Sequence, residues 1–237
     1  MTQAATGRPV QLAAAAAATA PMVAVFLWMY GGAGSAPDLS TFFMGPLLIG
    51  GGMIFWLLFL HLVWCRDDLP SLGFRRPGLV ADLVVGVLMG IALLGLKVLS
   101  DPWLAGLFPP RPPAPEMLRL IHGIALDPLL LLLWLGPVLW IGVAGFEELW
   151  RAVVLRRLAC AFPGRVGAIA AVLATSVLMA LAHAYQGPAA ILSIGFKSLL
   201  MGGYFVASGR VRTLIVAHAV YDAVQIVAAV LMIRQSA

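Results

Sequence analysis

Three short stretches of the chain hold residues able to move a proton and attack a carbonyl. FEELWR places Glu147, Glu148 and Arg151 together, MALAH ends on His183, and AHAVYDA carries His218 and Asp222. A carboxylate beside an imidazole can act as general base towards water, and an imidazole can donate to a developing oxyanion. Glu147 and Arg151 are four residues apart, so on a helix they share a face and are expected to form an ion pair. Glu148 lies roughly 100° around the same helix. One guanidinium does not cheaply neutralise two carboxylates, so the second must stay protonated or meet water. His218 and Asp222 are also four apart, an arrangement in which the acid orients the imidazole through its other ring nitrogen.

Taken singly, each of these pairs has a plainer explanation as a buried ion pair, and His183 as a histidine at a helix end. Their surroundings weigh against that. LLLLLWLGPVLWIGVAG precedes FEELWR and AVVL follows it. An ionisable residue in such a segment costs roughly 2.5–3.5 kcal/mol at a helix centre and persists mainly where it pairs or works. The other intramembrane charges are Asp82, Lys97 and Lys197. Asp82 and Lys97 lie near the ends of their segment and are expected to snorkel to the interface.

The elements carrying these residues follow from composition. Of 237 residues, 62% are hydrophobic and 11% charged, against about 25% charged in a soluble domain. This implies an all-α, polytopic transmembrane helix bundle. Barrel strands would instead alternate over about 10 residues, and no such pattern occurs. Apolar stretches long enough to cross a bilayer lie near 10–30, 42–64, 79–99, 166–183, 189–208 and 213–233. The zone 124–160 is too long for one span and is interrupted by Pro128, Gly136-Pro137 and Gly145. It reads as two helical pieces, for seven or eight helices in all. The proline-rich stretch 100–119 cannot be helical through its middle.

The net charge of +5 fits a positive-inside bias rather than nucleic-acid binding. Loops 66–78 and 208–212 are expected in the cytoplasm, 31–41 and 100–118 outside. Arg156 and Arg157 also favour the cytoplasm. The run after Arg8 exceeds the roughly 7–15 residues of a signal-peptide core and is read as a retained first helix. Cys65 and Cys160 make no metal spacing.

The three stretches, in this order, resemble the CPBP family of CAAX-processing and bacteriocin-processing glutamic intramembrane proteases. The resemblance rests on Glu147-Glu148 followed by Trp150-Arg151, on MALAH with the continuation His183-Ala-Tyr185-Gln186-Gly187, and on His218 to Asp222. It covers about 124–233. It divides the chain into N-terminal membrane helices without motifs (1–120) and a catalytic-type core (121–237). Three departures stand out. Arg151 comes one residue early against the EExxxR frame, which leaves open whether Glu147 or Glu148 is the base. Met179 replaces a Phe. Asp222 replaces the Asn of the eukaryotic-type prenyl-protein branch, which disfavours a CAAX substrate.

The resemblance implies a multi-pass endopeptidase of the cell membrane that acts on a protein or peptide substrate within the lipid bilayer, without a cofactor. In this reading Glu147, preferably, activates water with help from His183. His218 donates to the oxyanion, Asp222 fixes the His218 tautomer, and Arg151 holds the glutamates. Tyr185, Gln186 and Lys197 line the substrate path. Two alternatives stay open: a zinc-dependent membrane protease with two histidines and a glutamate as ligands, and a non-catalytic scaffold or small transporter.

Overall fold

The computed structural model describes residues 7–31, 39–74, 78–108 and 115–236. Among these there is no strand. The helices are α1 (Arg8–Gly31), α2 (Leu39–Phe59), α3 (Leu79–Leu107), α4 (Pro115–Leu126), α5 (Pro128–Leu133), α6 (Phe146–Ala161), α7 (Arg165–Ala182), α8 (Pro188–Ser208) and α9 (Val211–Ser236). A wide-turn stretch, Trp134–Gly145, kinked at Gly136, joins α5 to α6. With that rod taken as one, the described residues form eight helices. Six are long and apolar enough to cross a membrane: Phe43–Trp64, Leu79–Leu107, Pro128–Ala161, Arg165–Ala182, Pro188–Ser208 and Val211–Gln235. The protein is a multi-pass membrane protein.

One sequence expectation is corrected, and the two helical pieces expected in 124–160 are found as one span divided by a kink. Pro128–Ala161 continues in one direction and only kinks at Gly136, whose φ of −89° and ψ of −112° are not helical. Pro137 supplies the cause: it has no N–H to give the ladder, and its ring collides with the preceding turn. The third span, expected to end near 99, runs on to Leu107 through Pro102. The middle of the proline-rich stretch, 109–114, lies outside the described residues.

The rod leaves Arg156 and Arg157 at the same end as the α2–α3 connection. Arg156 Nε donates to Asp67 Oδ2 at 3.1 Å, and Arg157 also pairs with Asp67. Arg157 further donates to Gln11 Oε1 of α1 at 3.0 Å and to His61 Nδ1 at 3.2 Å. His61 is fully buried, and its Nε2 lies 3.0 Å from the Asp68 carbonyl. Asp82 does not snorkel. It is 1% exposed, held by Arg210 at 2.9 Å and Arg212 at 2.5 Å, and Thr213 Oγ1 donates to it at 3.0 Å. Lys97 remains partly exposed and pairs with Asp101 at 2.5 Å.

The main core draws Ala18 from α1, Leu57 from α2, Leu93 from α3, Trp150 from α6, Met179 from α7, Met201 from α8 and Leu214 from α9. Helices from both ends of the sequence therefore clamp α6, which carries the acidic pair. Small residues bring α3 and α9 close together. A Cβ on Gly90 would lie 2.8 Å from the Ala217 carbonyl oxygen and 2.9 Å from Val220 Cβ.

Candidate active site

Glu147 and Glu148 open α6 directly after the wide-turn stretch, so the kinked rod sets their depth. Ten residues of α6 separate Glu147 from Arg157, about 15 Å at 1.5 Å per residue. Half of a roughly 30 Å hydrocarbon core is the same distance. His218 and Asp222 project from α9, whose register α3 sets. His183 caps the C-terminal end of α7, where the chain turns through Gly187 (φ 99°) and Pro188 into α8.

The arginine chooses the other glutamate. Arg151 Nε donates to Glu148 Oε2 at 2.7 Å and Nη2 to Glu148 Oε1 at 3.3 Å, a fork-on-carboxylate contact three residues apart. The expected Glu147–Arg151 pair is thereby corrected. Helical spacing permits either pairing, and neighbouring helices decide it. Arg151 Nη1 donates to the Ser198 carbonyl at 3.3 Å and also bonds the Ser198 hydroxyl. His218 Nδ1 donates to Glu148 Oε1 at 2.8 Å. Glu148 is 0% exposed and thus has both oxygens engaged inside the protein.

Glu147 is in a different position. Its side chain is 15% exposed, and its carboxylate stands 3.8 Å from His183 Nε2 and 4.0 Å from His218 Nε2. Both separations exceed a hydrogen bond and suit one bridging water, which needs about 2.8 Å to each partner. His183 Nδ1 donates to the Met179 carbonyl at 2.9 Å, which leaves Nε2 as the ring's acceptor in the neutral form.

His218 meets carboxylates on both ring nitrogens. Asp222 Oδ2 lies 3.2 Å from Nε2. Glu148 thus meets Nδ1, while Asp222 shares Nε2, the nitrogen that faces Glu147. Tyr185 stacks on His183 with ring centroids 6.1 Å apart and accepts a hydrogen bond from Gln186 Nε2 at 2.8 Å. Lys197 sits with its ammonium 4.3 Å from the centre of the Tyr221 ring.

All six motif residues thus meet at one place, joined by direct contacts or by one-water gaps. Sequence reasoning missed Ser198, a fully buried hydroxyl on α8 that takes the third direction of the Arg151 fork. Its signal was a polar residue beside Lys197 in an apolar span. Among the described residues, no group of three His, Cys, Asp or Glu side chains is placed to hold a metal ion.

Residues 129–224 match the family model described as type II CAAX prenyl endopeptidase Rce1-like. Over these residues the chain is similar to the CAAX-protease family. The matched segment starts in α5 and ends two residues past Asp222, so it contains every residue of the cluster. No curated protein and no solved structure matches the chain. This match supports a membrane-embedded endopeptidase.

Proposed function

We propose that the protein is an intramembrane glutamic endopeptidase that uses no metal. Glu147 is the base, with His183 assisting. The observation that carries this is the division of labour between the two acids. Glu148 is consumed by Arg151 and His218, whereas Glu147 faces two imidazoles across gaps the size of a water.

In the proposed reaction a water bound between Glu147 and His183 Nε2 loses a proton to Glu147 as its oxygen attacks the peptide carbonyl carbon. The carbonyl π pair moves onto oxygen. His218, as an imidazolium whose Nδ1–H is held by Glu148, offers Nε2–H to that oxyanion once the carbonyl draws it away from Asp222. A single well-placed donor of this kind is worth about 3–4 kcal/mol in the transition state. The oxyanion then re-forms the carbonyl, the C–N bond breaks, and the proton held by Glu147 passes to the departing amine. Asp222 and Arg151 balance charge around the site and touch no reacting atom. Residues 1–120 form the shell that holds this core in the bilayer of the cell membrane, and Tyr185, Gln186 and Lys197 border the approach of the peptide.

The test compares N-terminal proteomes of cells making the wild-type chain with cells making Glu147→Gln, an isosteric change that removes the base. New protein N-termini are expected with the wild type and not with the variant, at equal membrane abundance and equal thermal midpoint. They are also expected to persist in membranes treated with metal chelators. Equal sets of N-termini from both chains would refute the protease reading in favour of a scaffold, and their loss on chelation would favour zinc.

A further inference from the structure

A cleft of about 360 Å³ opens between α3, α8 and α9 beside the cluster just described. Leu93, Trp103 and Leu104 of α3, Phe196 of α8 and Tyr221 of α9 form its mostly apolar wall. Its α3 side runs from Leu93 to Leu104, eleven residues or about 16 Å along the helix axis. The helix directions orient it. Leu93, Lys197 and Tyr221 lie at the deep end, and Tyr221 is the residue before Asp222. Trp103 and Leu192 lie towards the end of the bundle where α3 finishes and α8 begins. Trp103 and Phe196 are more than half exposed on the outer wall, so the cleft opens sideways into lipid.

Two cations border this apolar space. Lys97 is already paired with Asp101. Lys197 is not: among the described residues it makes no ion pair or hydrogen bond, only the contact with the Tyr221 ring. Its charge also bears on Asp222 and His218, but Asp222 takes its own contact from His218. An ammonium at mid-membrane depth without a counter-ion is costly, and such residues usually mark a pathway. The aromatic face holds the charge at about 0.5–2 kcal/mol, less than a desolvated carboxylate partner would supply.

We infer that the cleft is the docking subsite for an apolar segment of the peptide substrate, and that Lys197 selects an acidic side chain on that segment close to the scissile bond. This rests on the protease reading above. The acidic group is a side chain rather than a chain terminus because Lys197 stands at the junction of cleft and catalytic cluster. A peptide long enough to fill the cleft and reach Glu147 must pass Lys197 and continue beyond it. Lys197 would thus govern which peptides are cut and leave the chemical step to the cluster.

The experiment uses the Glu147-dependent N-termini of the proteome comparison. Sequences flanking those sites are expected to be apolar with an Asp or Glu within about four residues of the cut. A synthetic peptide spanning the strongest site is then assayed in proteoliposomes with that acid present or replaced by Gln or Lys. Against the acidic peptide, Lys197→Met should raise KM about tenfold or more with kcat little changed. Lys197→Arg should retain most of the preference, and Lys197→Glu should invert it towards the Lys peptide. Thermal midpoints of the four proteins check folding, and inversion by Lys197→Glu cannot arise from a merely structural lysine. Glu147-dependent sites without nearby acids, or the same peptide ranking in all four proteins, would overturn the inference and leave the protease reading standing. Absence of any Glu147-dependent site would overturn both.

Discussion

At the scale of single residues, the two adjacent glutamates differ because of what faces them, not because of their place in the motif. Glu148 sits in a closed network with Arg151, Ser198 and His218, in which each charge has its counterpart. Removing one member of a buried pair leaves the other uncompensated, a loss of about 3–5 kcal/mol in proteins generally. Arg151→Met should therefore lower the thermal midpoint in detergent sharply and reduce folded yield. Glu147→Gln should do neither, because among the described residues the ionisable partners of Glu147 stand at water-bridged distances of 3.8 and 4.0 Å. Equal destabilisation by the two changes would show that the acids share one network. The spacing of the motif revealed these residues but not their pairing, since positions three and four apart are both neighbours on a helix. The deciding groups, Ser198 and His218, arrive from α8 and α9, and no local pattern in FEELWR announces them.

At the scale of elements, the site depends on how closely α3 and α9 approach. Gly86 and Gly90 form the contact face on α3, and Val216, Ala217 and Val220 answer from α9. His218 lies between the last two of these. Interfaces of small residues let helix backbones come near in a bilayer, where apolar burial offers little drive for association. Gly90→Val should push α9 outward and shift His218 relative to Glu147 and Glu148. A shift of about 1 Å at a catalytic group can cost about 100-fold in rate. The expected result is a loss of at least tenfold in Glu147-dependent cleavage, larger than for Gly95→Val, because a Cβ at Gly95 meets nothing within 4 Å. Similar losses in both variants would count against the α3–α9 contact as the positioning element.

The α2–α3 connection offers a second test at this scale, through pH. Burial of Asp67 opposes its ionisation, but hydrogen bonds from Arg156 and Arg157 and their charges outweigh it and hold the carboxyl below the usual carboxylate range. A depressed folded-state pKa contributes stability above the unfolded value of about 3.9. That contribution fades as pH falls through the lower folded value. The wild type should therefore exceed Asp67→Asn in thermal midpoint by a constant margin above about pH 5, and the margin should shrink below about pH 4. A margin that grew on acidification would reverse the sign and remove the ion pair as its source. This cluster was only half legible beforehand. Arg156 and Arg157 stand out in the sequence as a basic pair, whereas His61, in FLHLVW, has no periodic partner. It acquires its meaning only when α6 brings Arg157 against α2.

At the scale of the molecule, one rod settles what composition alone left unresolved. Five of the six spans were readable as runs of apolar residues, and their ends shifted by a few positions, except where α3 continues through Pro102. The sixth, Pro128–Ala161, reads in the sequence as two pieces, and the expected stretch 10–30 is not among the six. The direction of Pro128–Ala161 was not readable, because Gly136-Pro137 could equally have made a reversal. With the rod unbroken, Arg8, Arg66, Arg156, Arg157, Arg165, Arg210 and Arg212 gather at one end. There Arg8 lies over the Phe162 ring at 4.4 Å, and Gly73 packs against the Gly209–Val211 turn. An arginine-rich end faces the cytoplasm, so the α6–α7 turn should be inside and the α4–α5 junction outside. This can be read with a membrane-impermeant maleimide on chains whose native cysteines are replaced. A cysteine at Pro163, an exposed turn residue, should label in inside-out vesicles and not in intact spheroplasts. One at Leu126, 65% exposed at the opposite end, should label in spheroplasts. Reversal of both patterns would invert the bundle while keeping its geometry. The cleft beside α3 would then open towards the cytoplasmic leaflet, and the apolar substrate segment would have to enter from that side.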